Sequence, residues 1–315
     1  MTTAAGFERN YYGVKQPQGF PGMPEGWFTE WETRVASDDA TKLFALVHRK
    51  RDVAVKRVLV LVHGFGEHAG RYLHFPHYLD ACGSGVDAVF AYDQRGHGRS
   101  EGLRGDVDRF DSLADDLEGM LRHVETKFPG AEIHLLGHSL GGHVALRFGF
   151  LHPGLPLKSF QVSAPYLALH KEPPLPLRGV AAVLSKTWKT LSLSTDVDAS
   201  VLSRDDRVVE NYSSDRLNHG RMTPRFYASM TAAQKDTLAR REGFGYPGLA
   251  VHVPLADRLV NTPVTLAFFE RLDLPGKRLF EYPDFRHEPM NEIGKEAFFE
   301  NLSAVVSGAA PGGRS

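Results

Sequence analysis

Leu135-Leu136-Gly137-His138-Ser139-Leu140-Gly141-Gly142 decides how this chain is read. An apolar run, Ile133 to Leu136, leads into a Gly-x-Ser-x-Gly pentapeptide, and a helix-compatible segment follows from Gly142 to about His152. Strand, sharp turn and helix is the setting in which a nucleophilic serine is held out above a sheet. Gly137 and Gly141 remove the Cβ atoms that would collide in so tight a turn. The helix start beside Ser139 offers free N–H groups and a positive dipole end to a developing oxyanion. The pentapeptide alone also occurs in ordinary turns. A catalytic reading therefore needs a base, an acid and an oxyanion donor elsewhere in the chain.

Working outward, Val58 to Val62 is a continuous apolar run of the kind found in strands buried on both faces. Val86 to Tyr92 is a second such run. Segments 28–36 and 41–49 alternate partly and pair as an antiparallel hairpin with Asp38-Asp39 in its turn. Residues 71–81 read as a short helix carrying Pro76. Phe110, Leu113, Leu117, Leu121, Val124 and Phe128 recur at helical spacing. Past the elbow, strands are expected at Ser159–Ala164, Leu249–Val253 and about 277–282. Helices are expected near 262–271 and 293–307. Strands alternating with helices predict an α/β fold with a mostly parallel sheet.

Residues 165–248 break the alternation. They open with a Pro-rich run, Pro173 to Pro176, and continue with Leu177, Val180, Ala181, Leu184 and Trp188 at helical spacing. More polar, helical material follows to about Arg241. This insertion falls where strand ends point, so it reads as a cap over the elbow. The division expected is a core of residues 1–164 and 249–315 and a cap of 165–248. The Leu177–Trp188 stripe is expected to pack on its own protein, with docking on lipid as the alternative. Residues 1–25 read as an irregular lead-in, and the last eight residues as a frayed tail.

Composition narrows the function classes. The chain has 315 residues, 42% hydrophobic and 24% charged, enough for one large core. A net charge of −1 leaves no basic surplus for a nucleic-acid backbone. A single cysteine, Cys82, excludes an internal disulfide framework. No signal-like or bilayer-spanning run is apparent, so a cytoplasmic protein is expected, with peripheral membrane contact through the cap left open. Fifteen histidines invite a metal, but zinc spacings are missing, and neither metal nor organic cofactor is called for.

A serine hydroxyl needs a base to take its proton and an acid to orient that base. Where such an elbow is used, the chain order is Ser, then Asp or Glu, then His, each after a late strand. Leu249–Val253 leads into Pro254-Leu255-Ala256-Asp257, which makes Asp257 the candidate acid. The strand ending at Tyr282 leads into Pro283-Asp284-Phe285-Arg286-His287-Glu288. His287, the only histidine after His252, is the candidate base. Asp284 and Glu288 are weaker candidates for the acid. The oxyanion hole needs one N–H after the nucleophile and one from the loop following the first central strand, which selects Leu140 and Phe65. Asp93 and Arg95 read as braces for the loop after their strand.

His63-Gly64-Phe65-Gly66-Glu67-His68-Ala69-Gly70-Arg71-Tyr72 resembles the oxyanion loop of the monoacylglycerol lipase and lysophospholipase group of α/β-hydrolases. Asp93-Gln94-Arg95-Gly96-His97-Gly98-Arg99-Ser100, Gly137 to Gly142 and Ala256-Asp257-Arg258-Leu259 match the same group. So do Ser200-Val201-Leu202-Ser203-Arg204 and Asn211-Tyr212-Ser213-Ser214-Asp215 of the insertion. The likeness runs from about Glu30 to Ser307. It implies an α/β-hydrolase fold, with a mostly parallel sheet, helices on both faces and a largely helical cap before the acid-bearing strand. It also implies a serine esterase acting on single-chain acyl esters, with an apolar tunnel under the cap. By the same resemblance, Glu67, Arg71 and Tyr212 line the head-group region, although a Glu67–Arg71 pair could equally hold the loop.

Two positions depart from that pattern. Pro254 stands where the group usually has Gly, and Met290 stands where monoacylglycerol lipases often carry a second histidine toward the head group. Met290 is therefore a further substrate-binding candidate. The rival readings are a short-chain or aryl carboxylesterase or an acyltransferase on the same triad. Outside enzymes, the rival is a catalytically silent binding protein of the same fold.

Overall fold

The computed structural model describes residues 20–35, 40–195 and 197–309. Among these residues the strands are β1 (Trp27–Val35), β2 (Lys42–Lys50), β3 (Arg57–Val62), β4 (Ala88–Tyr92), β5 (Glu132–His138), β6 (Leu157–Ser163), β7 (Leu193–Ser194), β8 (Arg221–Met222), β9 (Ala250–Pro254) and β10 (Arg278–Tyr282). The α-helices are α1 (Phe75–Ala81), α2 (Asp111–Lys127), α3 (Leu140–Leu151), α4 (Leu175–Thr187), α5 (Asp206–Ser214), α6 (Pro224–Ala239), α7 (Thr262–Arg271) and α8 (Glu296–Ser307). Eight strands make one sheet in the order β1-β2-β4-β3-β5-β6-β9-β10. It is parallel from β4 through β10, and β1 and β2 run antiparallel at one edge.

The central strands β3 and β4 read as unbroken apolar runs because both of their faces are covered. Side chains alternate across a strand. Val58, Val60 and Val62 of β3 enter a cluster with Leu117 and Leu121 of α2 and Val144 and Phe148 of α3. Leu59 and Leu61 enter the opposite cluster with Phe75 and Leu79 of α1 and Phe298, Phe299 and Leu302 of α8. Pro76 fits α1 because it sits in the first turn, where no intrahelical N–H is required. The expected hairpin is present as β1 and β2, with Trp27 opposite Lys50 and Val35 opposite Lys42. Asp38 and Asp39, most of the lead-in and the end of the tail lie outside the described residues.

Between β6 and β9, residues 165–248 carry α4, α5 and α6. They also carry an antiparallel ribbon of β7 and β8 that the sequence does not announce. Each ribbon strand is two residues long, too short to show a period. The larger correction concerns α4. The stripe expected to pack inward is largely exposed. Leu175, Leu177, Val180, Val183 and Trp188 are between 53% and 76% exposed, and no residue of α4 is buried. Only a narrow side, including Ala181 and Leu184, is partly covered.

Elsewhere the insertion is tied to the core. The Thr223 N–H donates to the Gly105 carbonyl at 2.9 Å. The Thr223 hydroxyl and Arg225 Nε donate to Asp106 at 2.6 and 2.7 Å. Gly105 has φ +65°, and a Cβ there would sit 1.7 Å from the Arg221 carbonyl oxygen, so the two backbones touch directly. Further along, the His219 N–H donates to Gly66 at 2.8 Å, and His68 Nε2 lies 2.9 Å from Asp215.

Candidate active site

Three strand ends of the sheet converge. At the end of β5, Ser139 has φ +52°, and α3 begins with the next residue. A Cβ on Gly141 would lie 2.2 Å from the Val62 carbonyl oxygen, and one on Gly137 would lie 2.4 Å from the Gly141 carbonyl oxygen. Only glycine allows the turn to close this tightly. The strained backbone is held on both sides. Its N–H donates to Ser163 at 2.9 Å, and its carbonyl accepts from His143 and Tyr166 at 3.0 and 2.9 Å.

Past β9, Asp257 turns back into the protein. Oδ1 accepts the N–H groups of Leu259 and Val260 at 2.7 and 3.0 Å, and Oδ2 lies 2.8 Å from His287 Nδ1. His287 follows β10, and its Nε2 lies 2.8 Å from Ser139 Oγ. Pro254 ends β9 opposite Tyr282 and accepts from the Thr262 hydroxyl at 3.1 Å, so it is accommodated as the last residue of a strand. Asp284 is exposed. The insertion also supports the histidine loop: the Glu288 N–H donates to Leu202 at 2.9 Å.

The electrostatics suit a base held ready by an ionised acid. Burial raises the Asp257 carboxyl, but the His287 ring and the two backbone donors outweigh it and leave the group below its ordinary value. For His287, burial alone favours the neutral ring. The Asp257 carboxylate, with help from Glu288 and Glu67, reverses this and raises it above 6.5.

Phe65 and Leu140 flank this point. Leu140 opens α3, so its N–H belongs to the unsatisfied first turn of a helix. Gly64 packs so closely that a Cβ there would be 3.1 Å from Ser139 Cβ. The Phe65 ring sits among His97, His219 and Phe226, with centroids 5.7, 5.8 and 6.3 Å away. His63 fixes the turn, with Nδ1 2.7 Å from the Gly64 carbonyl and Nε2 accepting the Gln94 N–H at 3.0 Å. Asp93 and Arg95 are braces: Asp93 accepts from Ala69 and Arg99, both at 2.7 Å, and Arg95 forks onto Asp116.

A cavity of about 530 Å³ opens over Ser139 and His287, between the sheet ends and the insertion. Most of its wall is apolar, including Leu169, Val201, Leu259 and Val260. One end is polar and contains Glu67, Arg71 and Tyr212. Glu67 Oε1 accepts the Gly64 N–H at 2.5 Å and the Tyr72 hydroxyl at 2.7 Å, and Oε2 accepts Arg71 Nη1 at 2.5 Å. Burial raises Glu67, but Arg71 and the neighbouring histidines pull it down to about 2. The Arg71 guanidinium lies 4.9 Å from the centre of the Tyr212 ring.

Met290 does not belong to this wall. It is fully buried in the cluster behind the sheet, and its carbonyl lies 3.1 Å from His74 Nε2. The 3₁₀ turn at Pro289–Asn291 carries the side chain inward, which corrects its expected place at the head group. Glu288, read from sequence only as a weaker candidate acid, has a different place. It faces Arg71 at 2.7 and 2.8 Å.

Serine, histidine and aspartate joined in this order beside a helix start, on a mostly parallel sheet, define a serine hydrolase of the α/β-hydrolase fold. Residues 53–294 match the family model described as serine aminopeptidase, S33, and the chain belongs to that family. It is 29% identical over 256 residues to a monoacylglycerol lipase of Mycolicibacterium smegmatis, covering 81% of this chain and 89% of that one. It is 35% identical over 164 residues to the human monoglyceride lipase, where the match spans 51% of this chain and 52% of the relative. Among solved structures, the monoacylglycerol lipase of Paleococcus ferrophilus superposes with a TM-score of 0.70 at 27% identity, covering 80% and 95% of the two chains. A soluble variant of the Saccharomyces cerevisiae monoglyceride lipase reaches 0.76 at 19% identity over 94% and 99%, a likeness of fold.

Proposed function

We propose that the protein is a serine ester hydrolase of monoacylglycerol-type substrates, with Ser139 as nucleophile, His287 as base and Asp257 as the residue that orients it. The observation that carries the reading is the hydrogen-bonded chain Asp257–His287–Ser139 opening on a largely apolar cavity with one polar end. That volume falls in the range of small-ligand sites, and a largely apolar wall with a few buried polar groups suits one acyl chain with a small alcohol. His287 Nε2 takes the Ser139 proton as Oγ attacks the ester carbonyl. The N–H groups of Phe65 and Leu140 hold the oxyanion, and the alcohol leaves with the proton from His287. Water then attacks the acyl-enzyme with His287 as base, releasing the fatty acid and restoring Ser139. Asp257 orients the ring and stabilises its charge throughout.

In this reading residues 165–248 are a cap on a core of 1–164 and 249–315. Purified protein is expected to release fatty acid from 1-monoacylglycerol with a kcat/KM at least about tenfold above that for a methyl ester of the same acid. That margin corresponds to about 1.4 kcal/mol of head-group interaction in the transition state. Equal rates for both esters would refute the head-group part, and no turnover of either would refute the enzyme.

Among the described residues no helix is long and apolar enough to cross a membrane. The exposed face of α4 supports a second part of the proposal, peripheral docking on a lipid surface. Leu177 and Ala181 of α4 also line the cavity, so the docked face adjoins it. The flanking Arg178, Lys186 and Lys189 suit anionic lipid. Val180 and Val183 lie outside the cavity wall. At about 1.5 kcal/mol for each valine buried in lipid, V180S/V183S is expected to lower partition onto phosphatidylcholine–phosphatidylglycerol vesicles by more than about tenfold. Hydrolysis of soluble p-nitrophenyl butyrate should stay at the parent level. Unchanged sedimentation with vesicles would remove this part of the proposal.

A further inference from the structure

The polar end of the cavity contains two carboxylates and one guanidinium in near-complete burial. Glu67, Arg71 and Glu288 are 3%, 8% and 2% exposed. The planar fork of Arg71 is the natural reader of a phosphate. Here it is already occupied. Nη1 and Nη2 donate to the two carboxylate oxygens of Glu288 at 2.7 and 2.8 Å, and Nη1 also donates to Glu67. The Nε atom is buried without a partner, so it is not presented to the cavity either. Glu288 is itself held, with Oε2 accepting the Asn291 amide at 2.7 Å. Asn291 is only 5% exposed.

The cluster therefore carries two negative charges against one positive charge. It also stands beside the reacting atoms. A Cβ on Gly64 would touch both Glu67 Oε1, at 2.8 Å, and Ser139 Cβ, at 3.1 Å. Glu288 directly follows His287 in the chain and lines the same cavity. Three other cations reach the cavity wall, Lys171, Arg178 and Arg258, but they are exposed or half-buried. Solvent and salt screen them in a way that does not apply to the buried cluster.

We propose that Glu288 is a specificity-determining residue: by occupying the guanidinium of Arg71, it fits the polar end of the cavity to an uncharged, hydroxylated leaving group and closes it to phosphate-bearing ones. This rests on the reading above, in which the alcohol of the ester lies at that end. A glycerol hydroxyl can donate to a carboxylate oxygen of Glu67 or Glu288. A phosphodiester or phosphomonoester brings only acceptors and further negative charge. It would meet two carboxylates with no free donor pair to offset them.

The test uses two ligands that contain no carboxylic ester, so it does not depend on turnover: 1-O-decylglycerol and decyl phosphate. Both are titrated calorimetrically into the full-length protein below their micelle concentrations. The parent protein is expected to bind the glycerol ether at least about 30-fold more tightly than the phosphate, the scale of a like-charge mismatch at a desolvated site. Glu288→Gln keeps the shape but removes one of the two carboxylates, leaving Arg71 balanced by Glu67 alone, and it should narrow that ratio about tenfold. Adding Arg71→Gln should widen it again, because no cation then remains at that end. The readout is a ratio within one protein, so a general loss of binding leaves it unmoved.

A parent ratio near one, or the same ratio in Glu288→Gln as in the parent, overturns the proposal. Failure of both ligands to bind also overturns it. If Glu288→Gln does not fold, the parent ratio decides alone. Failure of the broader reading would show separately, as absent monoacylglycerol hydrolysis with the ligand ratio intact.

Discussion

Ser139→Ala is expected to lower kcat for ester hydrolysis by about a millionfold, the scale seen when the nucleophile of such a triad is removed. The loss is so large because without the hydroxyl no covalent intermediate can form, and only substrate binding and polarisation of the ester are left to act. The fold should survive. Alanine keeps the Cβ that already occupies the elbow, and the backbone bonds to Ser163, His143 and Tyr166 do not involve the hydroxyl. Thermal midpoint and circular dichroism should match the parent protein, and a fluorophosphonate probe that labels the parent should leave the variant unlabelled. Retained turnover or labelling in a folded variant would remove Ser139 from the chemistry.

The second large effect is at Asp257. Asparagine has the same shape but different hydrogen-bonding capacity. Two backbone N–H groups, from Leu259 and Val260, point at Oδ1, so the amide oxygen of an asparagine introduced here would take that place. Its NH₂ would then face His287 Nδ1. A donor there makes Nδ1 an acceptor and moves the ring proton to Nε2, which can no longer accept from Ser139. Asp257→Asn should therefore lower kcat about ten-thousandfold with a modest change in KM. Steady-state rates on a soluble p-nitrophenyl ester measure this directly, and a loss of less than about tenfold in a folded variant would take Asp257 out of the triad.

The parent pH profile provides a companion check. His287 acts as base only when neutral, and Asp257, Glu67 and Glu288 hold its pKa above 6.5. Activity of the parent should therefore fall as pH drops through a midpoint above 6.5. An acid limb well below that value would contradict the buried carboxylates around the ring.

Much of this architecture can be read from the chain because it rests on local rules. Val58 to Val62 of β3 and Ala88 to Tyr92 of β4 are apolar without interruption because both faces are covered. The order of serine, aspartate and histidine is fixed by which strand each follows. The features that are not legible depend on contacts between distant segments. Nothing near Glu288 in sequence points to Arg71, 217 residues earlier. The family resemblance suggests the head group for Met290, but a single 3₁₀ turn carries that side chain into the core. The apolar period of α4 is the pattern of a packed helix, and periodicity does not show whether the apolar side is covered. The β7–β8 ribbon is held by its tie to Gly105 and Asp106 rather than by any propensity of its own residues.

The ties at Gly66, His68, Gly105 and Asp106 join the insertion to the loops around Ser139. Those at Gly66 and His68 fasten residues 215–219 to the same loop that carries Phe65. A shift of residues 215–219 would therefore be felt at Phe65, next to the Gly64 that packs on Ser139. By contrast, α4 has no buried residue and meets the rest of the insertion chiefly at α6. Residues 165–248 are thus held unevenly, by hydrogen bonds beside the Phe65 loop and by packing on α6 along α4.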